Sequence, residues 1–247
     1  MRRRAVNEAF GPVAPRDRGA NALQAQALVR LLRLASPALP IGAYSYSSGL
    51  EAAAEQRWLA DEASIGAWIS QVLEFNLVRY EGPMLCRLHD AWKQGVLQRV
   101  GKLNAQFLAA RETAELRAES CRLGEALRNL LAATGELQDK QEALHQIALP
   151  ALPTVYAFAA VGWGIPCAAA LSAYLFGWTE NQVNAATKTM QLGYLAAQRI
   201  LVRIVEGLPE QVTRAERLAD YELSNFSPGL ALASCHHESQ DARMFRS

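Results

Sequence analysis

Four adjacent residues near the end of the chain, Cys235, His236, His237 and Glu238, all carry side chains that can bind a metal ion. Consecutive side chains diverge, so contiguous ligands rarely surround one ion tetrahedrally, whereas ligands spaced as C-x-x-C or H-x-x-x-H do. The run therefore argues against a closed structural metal site. Two interpretations stay open: a loose, transient site for nickel or zinc on Cys235, His236 and His237, or ordinary polar residues on a tail.

Carboxylates that could serve in acid–base catalysis occur together at Glu112, Glu115 and Glu119, with basic neighbours. On a helix this pattern is typical of a solvated face of ion pairs rather than of a catalytic site. No spacing in the chain indicates a Ser-His-Asp or Cys-His arrangement. We therefore predict a protein that is not an enzyme.

The segment from Leu34 to Glu51, LASPALPIGAYSYSSGLE, carries no charge before its last residue. Proline disfavours the α region for the residue before it, so Pro37 and Pro40 must end any helix that arrives through Leu34. The glycines and tyrosines that follow indicate a structured turn. Ser48 and Glu51 have the spacing of a capping box, which predicts a helix from about residue 49. The residues alone do not decide between a functional loop and a packed connector.

The composition indicates one sizeable core, since 51% of the 247 residues are hydrophobic. A formal charge of +1, with both signs mixed, argues against nucleic acid as a partner. Residues 148–179 are uncharged, but Pro and Gly interrupt them, so they predict two short buried helices that meet at Gly162–Pro166 rather than a membrane span. Scattered cysteines and the lack of an apolar signal segment favour a cytoplasmic protein with free thiols.

Helical spacing of apolar residues begins at residue 23, and the alternation typical of strands is missing. We predict an all-α fold, a single compact bundle of about ten helices at residues 23–225, between a flexible N-terminal arm at 1–22 and a C-terminal partner-binding tail at 226–247. The helices are expected at residues 23–35, 49–59, 63–80, 83–94, 97–110, 112–133, 138–147, 152–161, 165–176, 180–206 and 209–221.

Two of the predicted helices are long enough to organise the others. In the helix at 112–133, leucines fall on one face, and Ser120 and Gly124, four residues apart, would let a neighbouring helix approach closely. The helix at 180–206 is expected to begin at Thr179–Gln182, another segment with the spacing of a capping box.

The last residues suggest a docking peptide. Arg243, Met244, Phe245 and Arg246 combine apolar and arginine side chains, which are frequent anchors of protein interfaces. The alternative is a frayed chain end without a partner.

Three segments together resemble the UreF family of urease accessory proteins. They are LLRLASPALPIGAYSYSSGLE near the start, RETAELRAESCRLGEALRNLL in the middle, and the tail that contains His237-Glu238 and ends in RMFRS. A further match, LPTVYAFAA, lies between the last two. The resemblance therefore extends over nearly everything from Leu31 to Ser247.

The resemblance implies an all-helical, non-enzymatic homodimer that joins two other accessory proteins during assembly of the urease nickel centre. One is UreD, also called UreH, the scaffold that contacts apo-urease, and the other is UreG, the GTPase that delivers nickel. The protein would couple GTP hydrolysis to nickel delivery. It would need no cofactor of its own, with nickel present only transiently.

The resemblance also assigns residues to partners. In the family the tail becomes ordered when it binds UreD, which implies a UreD-binding set of Arg243, Phe245, Arg246, His237 and Glu238. The start of the late helix is expected to contact UreG through Lys188, Gly193 and Tyr194. The loop would lie on a partner-facing or dimer surface, with Tyr44, Tyr46 and Glu51 as its candidate residues.

The chain departs from the family where many relatives have the pattern R-L-x-P-L-G-Q. Here residues 188–194 read KTMQLGY, which keeps the positive charge of Lys188 and keeps Gly193 but lacks the Pro and the Gln. Two alternative functions stay open. One is a nickel-binding metallochaperone that uses the Cys235-His236-His237 cluster, and the other is a GTPase-activating protein that supplies Arg199 or Arg203 to the nucleotide.

Overall fold

Every regular element in the described part of the chain is helical, which confirms the predicted all-α fold. The computed structural model describes residues 18–247, so the predicted N-terminal arm lies outside the described residues up to position 17. The first helix begins at Arg18, before the predicted start at residue 23. The helices are α1 (Arg18–Ala35), α2 (Leu50–Glu55), α3 (Glu62–Val72), α4 (Gly82–Lys93), α5 (Leu97–Ala109), α6 (Ala114–Ala133), α7 (Gln141–His145), α8 (Leu152–Gly162), α9 (Cys167–Met190), α10 (Tyr194–Arg217) and α11 (Pro228–Glu238).

A π-helical segment, Leu73–Glu81, joins α3 to α4 without a break. The sequence predicts two helices here, ending at residue 80 and restarting at 83. The link is absent because Gly82 and Pro83 take helical positions at the start of α4. The wider turns of the π segment direct Asn76, Tyr80 and Glu81 into the protein.

Helix α8 lies at the centre of the bundle and contacts α4, α6 and α9. Its residues from Pro153 to Ala160 are all buried, so it is apolar on every side, as expected of a helix surrounded by others. The turn between α8 and α9 contains Gly164 with a positive φ of 69°, which confirms the predicted junction at Gly162–Pro166. None of the helices in residues 18–247 combines the length and the apolar character needed to cross a membrane.

The predicted close approach at Ser120 and Gly124 is also confirmed. A Cβ at Gly124 would lie 2.1 Å from the carbonyl oxygen of Pro150, so the chain that leads into α8 rests directly on α6. Ser120 accepts a hydrogen bond of 3.3 Å from the amide of Leu152 at the same point. This contact fixes α6, which carries several of the polar residues described below, against the central helix.

The predicted division of the late helices is wrong. Helix α9 runs through Thr179 to Met190, and the break comes instead at Gln191, whose φ of 52° is left-handed. Thr179 is buried and donates its hydroxyl hydrogen to the carbonyl oxygen of Leu175 within the same helix, so it does not cap a new one. Helix α10 continues beyond the predicted end at residue 206 and contains Pro209. It continues because Leu208, before the proline, and Val212, after it, are both buried in the core.

The segment from residue 226, predicted to be a partner-binding tail, is folded against the rest of the chain. Residues Pro228–Glu238 form α11, which contacts α2 and α6. After it, Phe245 is only 5% exposed, and Ser247 is fully buried. The segment folds back onto its own chain because its apolar and backbone groups find partners there.

Candidate functional site

The loop before α2 and the residues after α11 lie against each other. The amide of Ser47 donates to the carbonyl oxygen of Ser247 at 2.9 Å, and the amide of Arg246 donates to that of Ser45 at 2.8 Å. The hydroxyl of Ser47 donates to the same oxygen of Ser247 at 2.5 Å. We call this region the loop–tail junction, which comprises residues 43–51 and 238–247 together with His237 and with Glu115 of α6.

The carboxylate of Glu51 binds backbone amides of the tail. One oxygen of its carboxylate accepts from the amide of Met244 at 2.7 Å, and the other accepts from the amide of Phe245 at 2.9 Å. Hydrogen bonds to an ionised acceptor are about twice as strong as those between neutral groups. Because Glu51 is itself buried, these two bonds fix the tail firmly to the start of α2.

The capping box predicted for Ser48 and Glu51 is therefore wrong. Gly49 occupies the N-cap position of α2, with a positive φ of 80° and no side-chain cap. Ser48 donates instead to the carboxylate of Glu119 at 3.2 Å. Local spacing suggested a helix cap, but both side chains have partners far along the chain.

His237 of α11 links α2 to α6. It is fully buried, with Nδ1 lying 2.7 Å from a carboxylate oxygen of Glu115 and Nε2 lying 3.4 Å from one of Glu51. Arg243 donates to the other oxygen of Glu115 at 2.8 Å. A continuous polar chain thus runs from α2 through α11 to α6 and on to the tail.

The three candidate metal ligands at the end of α11 do not converge. Cys235 and His236 are exposed, whereas His237 points inward with both ring nitrogens facing carboxylates. His236 instead packs edge-on against Trp58, with 6.1 Å between ring centroids. As the structure stands, Cys235, His236 and His237 cannot act as one ligand set.

The candidate partner-binding residues divide into buried and exposed groups. Phe245, Tyr46 and Glu51 are buried within the chain, and their assignment to a partner or dimer surface stays a prediction. Their burial follows from the contacts between loop and tail. Glu238 and Arg246 are exposed, and the Arg246 guanidinium has no hydrogen bond or ion pair with the described residues.

The candidate UreG-binding residues lie at the surface where α9 ends. The ammonium nitrogen of Lys188 is 5.9 Å from the centroid of the exposed Tyr44 ring, within the range of a cation–π contact. Gly193 and Tyr194 follow the left-handed turn and are exposed, the latter at 74%. The structure therefore brings Lys188 together with the loop, a pairing that the sequence does not indicate.

Behind the junction lies a buried polar group that we call the interior cluster, made of Asn76, Glu81, Arg111, Glu112, Glu119 and Tyr174. Glu81 accepts from Arg111, from the hydroxyl of Tyr174 at 2.8 Å and from Asn76 at 3.3 Å. Arg111 also pairs with Glu112 at 3.4 Å. The sequence predicted that Glu112 and Glu119 belong to a solvated face, and this is wrong because both carboxylates turn toward the interior.

Burial sets the protonation of the interior cluster. It raises the pKa of Glu119 to about 7, although hydrogen bonds from Ser247 and Ser48 oppose the shift. Burial also raises the pKa of Glu112. For Arg111 burial opposes the charge, but Glu81 and Glu112 outweigh it and raise the pKa of the guanidinium. The cluster can therefore take up a proton near neutral pH while Arg111 stays charged.

The interior cluster borders a cavity of about 120 Å³ that reaches the loop. Part of its lining is apolar, from Leu34 and Leu39, and part is polar, from the cluster and Asn181. Tyr156 also lines it, with a hydroxyl that lacks a hydrogen-bond partner in the described part of the chain. The cavity is thus a partly polar space between the loop and the central helix.

The two candidate arginines for a GTPase-activating role differ in their surroundings. Arg199 is exposed but forms two hydrogen bonds with Glu62, one of them 3.0 Å long. Arg203 is exposed on the next turn of α10. Only Arg203 is therefore available without breaking an ion pair.

Comparison with known proteins identifies the family. The family model described as UreF matches residues 59–205 of the chain. A urease accessory protein UreF of Azoarcus sp. (strain BH72) is 48% identical over 223 residues, which are 89% of this chain and 95% of the relative. The UreF of Dechloromonas aromatica (strain RCB) is 43% identical over 89% of this chain and 97% of the relative.

A longer relative also aligns with the chain. A bifunctional urease accessory protein UreEF of Bordetella bronchiseptica is 44% identical over 91% of this chain, which corresponds to 53% of the relative. The family model covers the middle of the chain, and the alignments with the relatives cover about nine tenths of it. The chain belongs to the UreF family of urease accessory proteins.

Proposed function

We propose that the chain is a cytoplasmic, non-catalytic adaptor in urease maturation. It bridges the UreD (UreH) scaffold and the UreG GTPase, and it couples GTP hydrolysis to the delivery of nickel into apo-urease. Nickel is cargo in this scheme and not a resident cofactor. Membership of the UreF family supports the pathway, and the arrangement of the junction supports the bridging role.

The observation that carries the bridging role is one short turn shared by both candidate partner surfaces. Ser45 accepts a hydrogen bond from the amide of Arg246 in the tail, while the adjacent Tyr44 contacts Lys188. A partner bound at the tail and a partner bound at Lys188 would therefore touch the same 3₁₀ turn, Ala43–Ser45. Such a shared element offers a direct route for one partner to influence the other.

Exposed apolar side chains support partner binding at the same places. Met244 is 63% exposed beside Arg246, and Tyr194 and Leu195 are exposed at the start of α10. Apolar groups next to arginine are typical of interface cores. A further exposed stripe of Leu28, Val29 and Leu32 on α1 provides a surface for the proposed homodimer.

The decisive experiment reverses one charge at each surface. Arg246→Glu should reduce co-purification with UreD at least tenfold and leave UreG binding intact, whereas Lys188→Glu should do the reverse. Neither change should alter the melting temperature, because both side chains are exposed. Arg99→Glu, an exposed arginine on α5, is the matched control and should bind both partners normally.

If both variants bind both partners like the unchanged protein, the assignment of the surfaces is wrong. Deleting Arg243–Ser247 would be a poorer test, because it removes the partners of Glu51 and Glu119 as well as the exposed groups. GTP hydrolysis by UreG should be measured with and without the adaptor. A rate that is independent of the adaptor in the complete complex would contradict the proposed coupling.

A further inference from the structure

Three side chains that could hold a metal ion meet where α4, α9 and α10 pack together. Cys86 of α4, Cys167 of α9 and Glu216 of α10 each offer one ligand atom, and these atoms all lie within 4.8 Å of one another. Both cysteines are partly buried, and Glu216 is exposed. The cysteines are far apart in the sequence, so no spacing pattern marks this group.

The separations suit a small tetrahedral ion. With zinc–sulfur bonds of about 2.3 Å, two thiolates in a tetrahedral site stand roughly 3.8 Å apart, and a carboxylate oxygen stands slightly closer. The sulfur atoms of Cys86 and Cys167 already lie within 4.8 Å of each other, about 1 Å from the separation that the ion requires. The group therefore needs little rearrangement to become a three-ligand site.

The backbone around the group is held in place. His89, one turn after Cys86 on α4, is buried, and its Nε2 lies 2.9 Å from the carbonyl oxygen of Ile165. This contact fixes the chain two residues before Cys167. The other ring nitrogen of His89, Nδ1, is buried without a hydrogen-bond partner among the described residues. The segment that carries Cys167 is thus anchored to the helix that carries Cys86.

We propose that Cys86, Cys167 and Glu216 form a binding site for a divalent ion of the zinc type. Two soft thiolates and one carboxylate match the ligand preference of zinc better than that of magnesium or calcium. Water or an external ligand completes the tetrahedron on the exposed side. A bound ion would connect α4, α9 and α10, so it would stabilise the bundle independently of the adaptor role.

Binding is linked to proton release. Each thiol that becomes a ligand gives its proton to the solvent, so one ion releases up to two protons and its charge replaces theirs. Thiolates rather than thiols bind metal ions, so protons compete with the ion for both sulfur atoms. The apparent affinity should therefore increase with pH.

The test uses the full chain, freed of metal and kept under a reductant that does not bind metals. Calorimetric titration with Zn²⁺ should give one ion per chain, with higher affinity at pH 8 than at pH 6. Co²⁺ as a probe should show a thiolate-to-cobalt charge-transfer band in the near ultraviolet. Saturation with Zn²⁺ should raise the melting temperature.

Variants locate the site. Glu216→Gln changes only an exposed residue and should weaken Zn²⁺ binding at least tenfold, while Cys86→Ser and Cys167→Ser should abolish the charge-transfer band. Cys235→Ser and His236→Ala, at the exposed end of α11, are the controls and should leave binding unchanged. The proposal is overturned if the unchanged protein binds no Zn²⁺. It is also overturned if Glu216→Gln and Cys86→Ser bind Zn²⁺ as the unchanged protein does while the α11 variants lose binding.

Discussion

The loop–tail junction and the interior cluster both depend on carboxylates, but the number of basic side chains beside those carboxylates differs. In the junction, Glu51 faces two backbone amides and His237, and Glu115 faces His237 and Arg243. In the interior cluster, three carboxylates share the single guanidinium of Arg111. Glu115 and Glu119, one turn apart on α6, belong to the two different surroundings.

This difference gives the two regions different tasks. Where basic side chains match the carboxylates in number, the carboxylates hold chain segments together, as Glu51 holds the tail. Where buried carboxylates outnumber the basic side chains, burial drives one of them toward its protonated form, as it does Glu119. The junction therefore anchors structure, whereas the interior cluster responds to pH.

The largest effect should come from Arg111→Met. The change leaves Glu81 and Glu112 without their cationic partner while keeping a side chain of similar length, and breaking a buried ion pair costs roughly 3–5 kcal/mol. Urea unfolding followed by circular dichroism measures the loss. Arg117→Met, an exposed arginine in the first turn of α6, is the control. Equal stability of the two variants would show that the interior cluster does not need its arginine.

Glu51→Ala should rank second and act locally. It leaves the buried amide of Phe245 and that of Met244 without acceptors, and unpaired buried groups cost roughly 2–3 kcal/mol together. Hydrogen exchange should become faster at these two amides while α8 stays protected. Glu55→Ala, exposed on the same helix, is the control. Unchanged exchange at residues 244 and 245 would contradict the anchoring role.

Glu119→Gln should change how stability depends on pH. The pKa of Glu119 is raised in the folded chain from 4.5 to about 7, so its favourable contribution is complete below 4.5 and is lost as the pH rises through 7. Glutamine does not titrate, so the stability of the variant does not fall in this way as the pH rises. It should therefore match the unchanged protein near pH 5 and exceed its unfolding free energy by about 2 kcal/mol at pH 8.

Unfolding measured in urea at several pH values checks this prediction. Ser48 and Ser247 can accept hydrogen bonds from an amide as well as donate to its oxygen, so glutamine keeps the local contacts. Parallel curves for the two proteins between pH 5 and pH 8 would show that Glu119 does not titrate in this range.

The smallest effect is expected for Arg199→Ala. Arg199 and Glu62 form a guanidinium–carboxylate pair like the one inside the protein, but both side chains are in contact with water. Exposed ion pairs contribute little because water and salt screen them. The melting temperature should stay unchanged within error in 0.15 M salt. A loss comparable to that of Arg111→Met would contradict the distinction between surface and interior pairs.

The sequence correctly predicted features that depend on local pattern. The apolar face of α6 and the small residues Ser120 and Gly124 indicated where α8 would approach, and prolines and glycines indicated the turn before α9. The all-α class follows from the same periodicity. These signals suffice because each depends on neighbours in the chain and on side-chain volume.

Features that depend on distant partners were missed. Ser48 and Glu51 have the spacing of a cap, yet their partners are Glu119 and the amides of the tail. Thr179 has the same kind of spacing but lies in mid-helix, because burial of the following turns outweighs the cap. The partner-binding assignments of the exposed residues, from Arg246 to Lys188, stay predictions.

The π-helical segment between α3 and α4 makes the chain sensitive to insertions and deletions. Each residue of an α-helix turns the next by about 100°, so removing one residue from Leu73–Glu81 would rotate the whole of α4. The fully buried Met84, Leu85 and Leu88 would then leave the core together. Homologues and engineered variants should therefore vary in side chains here but keep the length of the segment.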